Sequence, residues 1–233
     1  MTGLPVNRLV LRAKLVLFDL DGTLVHSAPD LAAAVNLMLH ELGLPEHPVE
    51  RVAGWIGNGM LRLVKRGLTG QRDGEPDPAL FERGVESFKR HYAANLAVRT
   101  RPYPGMVEAL DDLTGHGFLL GCVTNKLSAF TRPLLEQLDL MKYFRVVVAG
   151  DTLPVRKPDP LPLLHASREA GVEPARAVMV GDSATDLNAA RAAAMPAIAV
   201  TYGYNQGLDV RTLDPAVVVD SAAELPQYLE LEK

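Results

Sequence analysis

Several large classes of protein are excluded by what this chain has little of. Its 233 residues hold one cysteine, Cys122, so no internal disulfide can form and nothing points to an oxidising compartment. No apolar run approaches the roughly 18 residues of a membrane span. Near the start, Arg8, Arg12 and Lys14 break up an apolar stretch where a signal peptide needs a continuous one. Positive charge is not in excess: 24 Lys and Arg against 28 Asp and Glu leave a net charge of -4. No basic footprint for nucleic acid or anionic lipid follows from that balance. None of the six histidines has the spacing of a zinc site. What remains is ordinary for a globular chain, 48% hydrophobic and 22% charged, and long enough for one large domain or one domain with a smaller insert. The composition predicts a soluble, cytoplasmic protein, and it fits a monomer or a homodimer equally.

Residues 14–20, KLVLFDL, form a short apolar run that stops at Asp-Gly, as a buried strand does. Comparable runs recur at 118–124, 145–149, 177–181, 197–201 and 216–219, with helical stretches at 105–115, 127–138, 160–170 and 184–194. Apolar strands alternating with helices predict an α/β fold, a Rossmann-like parallel sheet covered on both faces. From about Ala28 to Ala97 that alternation stops. Helical patterns at 29–42, 58–68 and 78–94 take over, punctuated by Gly and Pro, and Leu31, Val35, Met38, Leu39 and Leu42 share one face of the first. The predicted organisation is therefore a core over 1–27, a helical insert over 28–97 and the rest of the core over 98–233.

Ligands in such sheets sit beyond the carboxyl ends of the strands, so the residues just after each run carry the interest. The first run ends Asp19-Leu20-Asp21-Gly22-Thr23. Residues two apart in extended chain point the same way, which lets Asp19 and Asp21 converge. A plain Asp-Gly turn is the alternative, yet D-x-D-G-T arises by chance in well under about 1% of chains this long. The second run ends Val123-Thr124-Asn125, a hydroxyl and an amide able to donate to a phosphoryl oxygen, or to cap a helix. Lys157 sits before Pro158, where the restricted backbone suits a fixed cation. Asp182 follows the fourth run, and Asp186 lies one helical turn on; two acids so spaced repel unless a cation joins them.

Oxygen ligands without a His or Cys cluster favour Mg²⁺, the expected cofactor. A carboxylate attacking a phosphate dianion meets like-charge repulsion of roughly 5 kcal/mol per unit pair at about 3.5 Å and an effective dielectric of about 20. A divalent cation and Lys157 offset it. An aspartyl-phosphate intermediate divides hydrolysis into two easier steps, and Asp21 can protonate the leaving alkoxide and then deprotonate water.

With these motifs in this order, the chain resembles the phosphatases of the haloacid dehalogenase superfamily. The resemblance implies Asp19 as nucleophile and Asp21 as acid/base. It implies metal ligation by Asp19, the Asp21 carbonyl and Asp182, with Asp186 supporting the metal or orienting Lys157. Thr124 and Lys157 would hold the phosphoryl group, with Asn125 beside them, and the insert would be the family's mobile cap. Ser27-Ala28-Pro29-Asp30, Trp55-Ile56-Gly57-Asn58-Gly59, Leu63-Val64-Lys65-Arg66 and Thr201-Tyr202-Gly203-Tyr204-Asn205 are similar to stretches of bacterial phosphoglycolate phosphatases. That likeness implies hydrolysis of 2-phosphoglycolate to glycolate and phosphate. Another small phosphorylated metabolite, or phosphate transfer within a sugar by a mutase, are the alternatives. In the insert, Asn58 at a helix start and Arg62 and Arg66, four apart on one face, are the expected readers of an acidic substrate, or else ordinary turn and surface residues.

Overall fold

The computed structural model describes residues 9–232. The chain opens with β1 (Leu11–Ala13) and β2 (Leu15–Phe18), then β3 (Val25–His26). Four helices follow: α1 (Ala28–Glu41), α2 (Val49–Ala53), α3 (Met60–Thr69) and α4 (Pro78–Ala94). The remainder alternates as β4 (Arg101–Pro102), α5 (Met106–Gly115), β5 (Leu119–Val123), α6 (Ser128–Gln137), β6 (Val146–Val148), α7 (Leu161–Ala170), β7 (Ala177–Gly181), α8 (Ala184–Ala192), β8 (Ala197–Val200), β9 (Val217–Val219) and β10 (Leu229–Leu231). Each of the six apolar runs expected as a strand forms one. Together they make a single parallel sheet in the order β6-β5-β2-β7-β8-β9.

Period-two alternation divides the central strand between two layers. Leu15 and Leu17 pack with Leu163 and Ala166 of α7 and with Leu187 of α8. Val16 and Phe18 face the opposite way, toward Met106 and Leu110 of α5 and Leu134 of α6. All four β2 residues are fully buried, which is why this strand reads as a continuous apolar run. Strand order reverses around β2: the chain steps outward through β5 and β6, then returns to place β7, β8 and β9 on the other side. A crevice forms at the carboxyl ends of strands where such a reversal occurs.

Helices α1 to α4 leave and rejoin the sheet through β3 and β4, which pair antiparallel with Val25 opposite Pro102 and His26 opposite Arg101. Leu31, Val35, Met38 and Leu39 of α1 are buried and Leu42 partly so, as their spacing requires. Asp77 caps α4, accepting from the N–H groups of Ala79 and Leu80 at 3.0 Å, with Pro78 in the first helical turn. The buried carboxylate of Asp30 fastens the base of this helical segment. It accepts from the Arg99 N–H, and from the N–H and hydroxyl of Thr100 at 2.7 Å each. Three elements lay beyond the sequence reading: α2, the β3–β4 ribbon, and the parallel pairing of β1 with β10. Among the described residues no helix is long and apolar enough to cross a membrane.

Candidate active site

Strand register assembles the site. Phe18 lies level with Cys122 of β5 and Val180 of β7, so the residues after these three strands emerge on one edge of the sheet. Asp19, Thr124 and Asp182 are those residues. Lys157, on the loop after β6, and Asp186, on the first turn of α8, complete the group. Asp19, Asp21, Thr124, Asn125, Lys157 and Asp186 line one cleft of about 580 Å³, solvent space included. Its far wall is apolar and comes from the helical segment, with Leu31, Ile56, Met60, Leu63, Phe88 and Tyr92.

Lys157 is the electrostatic centre. Its buried Nζ donates to Asp19 Oδ1 at 2.9 Å, to Asp186 Oδ1 at 2.7 Å and to the Val123 carbonyl at 2.6 Å. Burial alone would lower its pKa; Asp186 and Asp19 outweigh burial and hold it above the ordinary lysine value. Asp186 has a second role. Its Oδ2 accepts from the N–H and hydroxyl of Ser183, closing a capping box at the start of α8. The helix cap therefore fixes the acid that fixes the lysine. Gly181 is required there, because a side-chain carbon would collide with Asp186.

The carboxylates of Asp19, Asp182 and Asp186 each place an oxygen within 4.8 Å of the others, and all three side chains are largely buried. Asp182 accepts from the Thr23 hydroxyl at 2.8 Å and from the Tyr204 N–H at 2.5 Å. Gly22, at φ +95°, passes so close to Asp182 that a Cβ would meet its carboxylate. Burial, opposed by Lys157 and reinforced by Asp186, raises the Asp19 pKa to about 6. Burial followed by the charges of Asp186 and Asp19 raises that of Asp182. Acids held in this state are under-compensated, and hard oxygen donors crowded around one point fit a metal cation.

Asp21 is placed differently. Its carboxylate is not part of that cluster but lies against Lys126, whose Nζ is 3.0 Å from both oxygens. Lys126 went unnoticed in the sequence, although it directly follows Thr124-Asn125 at a strand end, where site residues are expected. The Thr124 oxygen accepts only from the Lys126 N–H, at 3.3 Å, among the described residues, so its own proton remains available to an anion. Asn125 lines the cleft beside Thr124. Its amide nitrogen donates one hydrogen bond, to the Lys157 carbonyl at 2.9 Å, so the side chain also braces the lysine loop while lining the cleft.

The expected acid readers in the helical segment lie outside the cleft lining. Buried Arg66 spends its guanidinium on the Trp55 carbonyl at 2.6 Å, the Arg72 carbonyl at 2.9 Å and Asn58 Oδ1 at 3.1 Å. Asn58 also accepts from Gln206 Nε2 at 3.0 Å. Arg62 is 43% exposed and lies 3.4 Å from Glu75. None of the three lines the cleft, although Gly57 and Gly59 beside Asn58 do. A helical spacing places two arginines on one face, but neighbouring carbonyls and acids decide where their donors point.

A chain with this sheet, buried lysine and acid cluster matches a known family. The haloacid dehalogenase-like hydrolase profile aligns with residues 16–200, and the chain belongs to that family. Among its relatives, the phosphoglycolate phosphatase of Thiobacillus denitrificans is 51% identical over 211 residues, 91% of this chain and 93% of that protein. The phosphoglycolate phosphatase of Nitrosospira multiformis is 50% identical over 217 residues, 93% of this chain and 96% of that protein. A crystal structure from Haemophilus somnus 129PT, described as a predicted phosphoglycolate phosphatase, superposes with a TM-score of 0.87 at 34% identity. It covers 92% of this chain and 97% of its own.

Proposed function

We propose that this chain hydrolyses 2-phosphoglycolate to glycolate and phosphate, with Asp19 as the attacking group. The observation that carries the reading is the seating of the Asp19 carboxylate at the head of β2, 2.9 Å from the ammonium of Lys157. The substrate follows from relatives at 50% and 51% identity that bear the name phosphoglycolate phosphatase.

An Asp19 oxygen forms a bond to phosphorus as the phosphorus–ester oxygen bond breaks. Asp21, two residues along, gives its proton to the departing alkoxide, and glycolate leaves. The Thr124 hydroxyl donates to a phosphoryl oxygen, and Lys157, its three donors engaged, contributes its positive charge at close range. Asp21 then takes a proton from water, whose oxygen attacks the aspartyl phosphate, releasing phosphate and restoring Asp19. Asp19, Asp182 and Asp186, with the Asp21 carbonyl, would hold the metal, and Mg²⁺ suits such an all-oxygen set. Bound there, Mg²⁺ supplies positive charge that offsets the repulsion between carboxylate and phosphate. In this reading residues 28–97 act as a cap over a core made of 1–27 and 98–233, and its apolar wall excludes water from the intermediate.

Phosphate release from 2-phosphoglycolate, with and without Mg²⁺, tests the activity. Asp19→Asn is expected to abolish turnover while leaving the circular dichroism spectrum unchanged. Beryllium fluoride soaked into crystals of the wild type is expected to cap the Asp19 side chain; an unmodified Asp19, or near-normal turnover of Asp19→Asn, rules the mechanism out.

A further inference from the structure

A phosphatase for a phosphorylated acid must recognise two anionic ends. Lys157 and Thr124 serve the phosphoryl end, and the two arginines expected to read the acid are committed elsewhere: Arg66 to two carbonyls and Asn58, Arg62 to Glu75. We infer that Lys126, on the core side of the cleft, reads the substrate carboxylate and determines specificity. The inference rests on the proposed hydrolysis of 2-phosphoglycolate.

Among the described residues, Lys126 and Lys157 are the two cations that line the cleft. Lys157 is enclosed by three partners and belongs to the phosphoryl end. Lys126 lies beside Asp21, the group that must reach the ester oxygen. A general acid works at roughly 2.6–3.2 Å from its target. In 2-phosphoglycolate one methylene separates the ester oxygen from the carboxylate. An ester oxygen within reach of Asp21 therefore sets its carboxylate within reach of the ammonium 3.0 Å from Asp21. An ammonium has three donors, so it can bridge both carboxylates at once.

The ammonium is held for the task. The Lys126 carbonyl accepts from the Gly150 N–H at 2.7 Å and from the Thr131 hydroxyl at 3.2 Å, which anchors the backbone. Its Nζ lies 4.7 Å from the centroid of the Tyr92 ring, a cation–π contact from the helical segment. Beyond it the wall is apolar, with Leu31, Met60 and Phe88. There a second anion finds one cation, while a neutral leaving group would leave that cation to Asp21 alone. Charge-assisted hydrogen bonds are worth more in such surroundings than in water.

The test compares kcat/KM for 2-phosphoglycolate and for 2-hydroxyethyl phosphate, its uncharged counterpart, in the presence of Mg²⁺. Lys126 also supports Asp21, so both substrates slow in any Lys126 variant and the ratio isolates recognition. Lys126→Met and Lys126→Gln are each expected to lower the preference for 2-phosphoglycolate by roughly 10- to 100-fold, the range of one charged hydrogen bond. Lys126→Arg is expected to retain most of it. Lys126→Gln serves as the second variant should Lys126→Met not fold. A ratio unchanged within about twofold in a folded variant overturns the assignment while leaving the phosphatase reading intact. A wild type with no preference for the phosphorylated acid overturns the substrate reading, and this assignment with it.

Discussion

Asp19, the proposed nucleophile, shows how one residue carries two opposed requirements. A nucleophile must be close to cations and shielded from water, yet shielding penalises its charge. With its pKa raised from 3.8 to about 6, the metal-free folded state binds a proton that the unfolded chain has already released across that interval. Stability then falls as pH rises from about 4 to 6, and the penalty is fully present above 6. Asp19→Asn removes the buried charge, while Lys157 keeps Asp186 and the Val123 carbonyl as partners. In EDTA, the melting temperature of Asp19→Asn relative to wild type is expected to rise between pH 4 and pH 6.5. Thermal scans across that range check it, and a constant difference contradicts the assigned cause. Cys122, one strand over, illustrates the other outcome of burial: its thiol is pushed up, chiefly by desolvation, and it serves only packing.

At the scale of elements, the base of the helical segment is where local sequence meets distant structure. Pro29 and Asp30 open α1, and an acid in a first helical turn is ordinary. Yet the Asp30 carboxylate accepts from residues about 70 positions away, at the point where the chain returns to the sheet. Tyr204 closes the same corner from the core, its hydroxyl accepting from the Ala28 N–H and sharing a hydrogen bond with His26. Asp30→Ala leaves the buried Thr100 donors and the part-buried Arg99 N–H without the carboxylate, and should cost on the order of 3 kcal/mol. Chemical denaturation measures this directly; a loss below about 1 kcal/mol would mean that water replaces the carboxylate.

Over the whole molecule, the loop after β8 links the acid cluster to the helical segment. The Tyr204 N–H binds Asp182, and two residues later Gln206 donates to the Ile56 carbonyl at 2.8 Å and to Asn58 at 3.0 Å. Arg72 returns a bond to Gln206 at 2.5 Å. These contacts hold the Gly57–Gly59 turn over the cleft. Removing them with Gln206→Ala should favour an open arrangement by about 1–2 kcal/mol, lowering kcat/KM roughly 5- to 30-fold with little change in melting temperature. Steady-state kinetics and a thermal scan decide the matter: unaltered kcat/KM would show that the turn holds its place without Gln206.

Much of this was legible in the residues alone, because strands buried on both faces must be apolar throughout and ligand-binding residues must follow them. That rule located β2, β5, β7 and the positions of Asp19, Thr124 and Asp182, and Pro158 marked the fixed lysine. Chain order likewise set the helical stretch apart, since α-helical periodicity cannot pass for a run of strands. Only the tertiary structure decided which donors are free. Arg66 carries the right chemistry, but a carbonyl 11 positions away holds it, and Lys126 acquires its place from Asp21, 105 positions earlier. The pairing of β1 with β10 spans still more chain. Periodicity reports the face a side chain occupies; its hydrogen-bond partners come from whichever segment the fold brings alongside, and no local pattern records them.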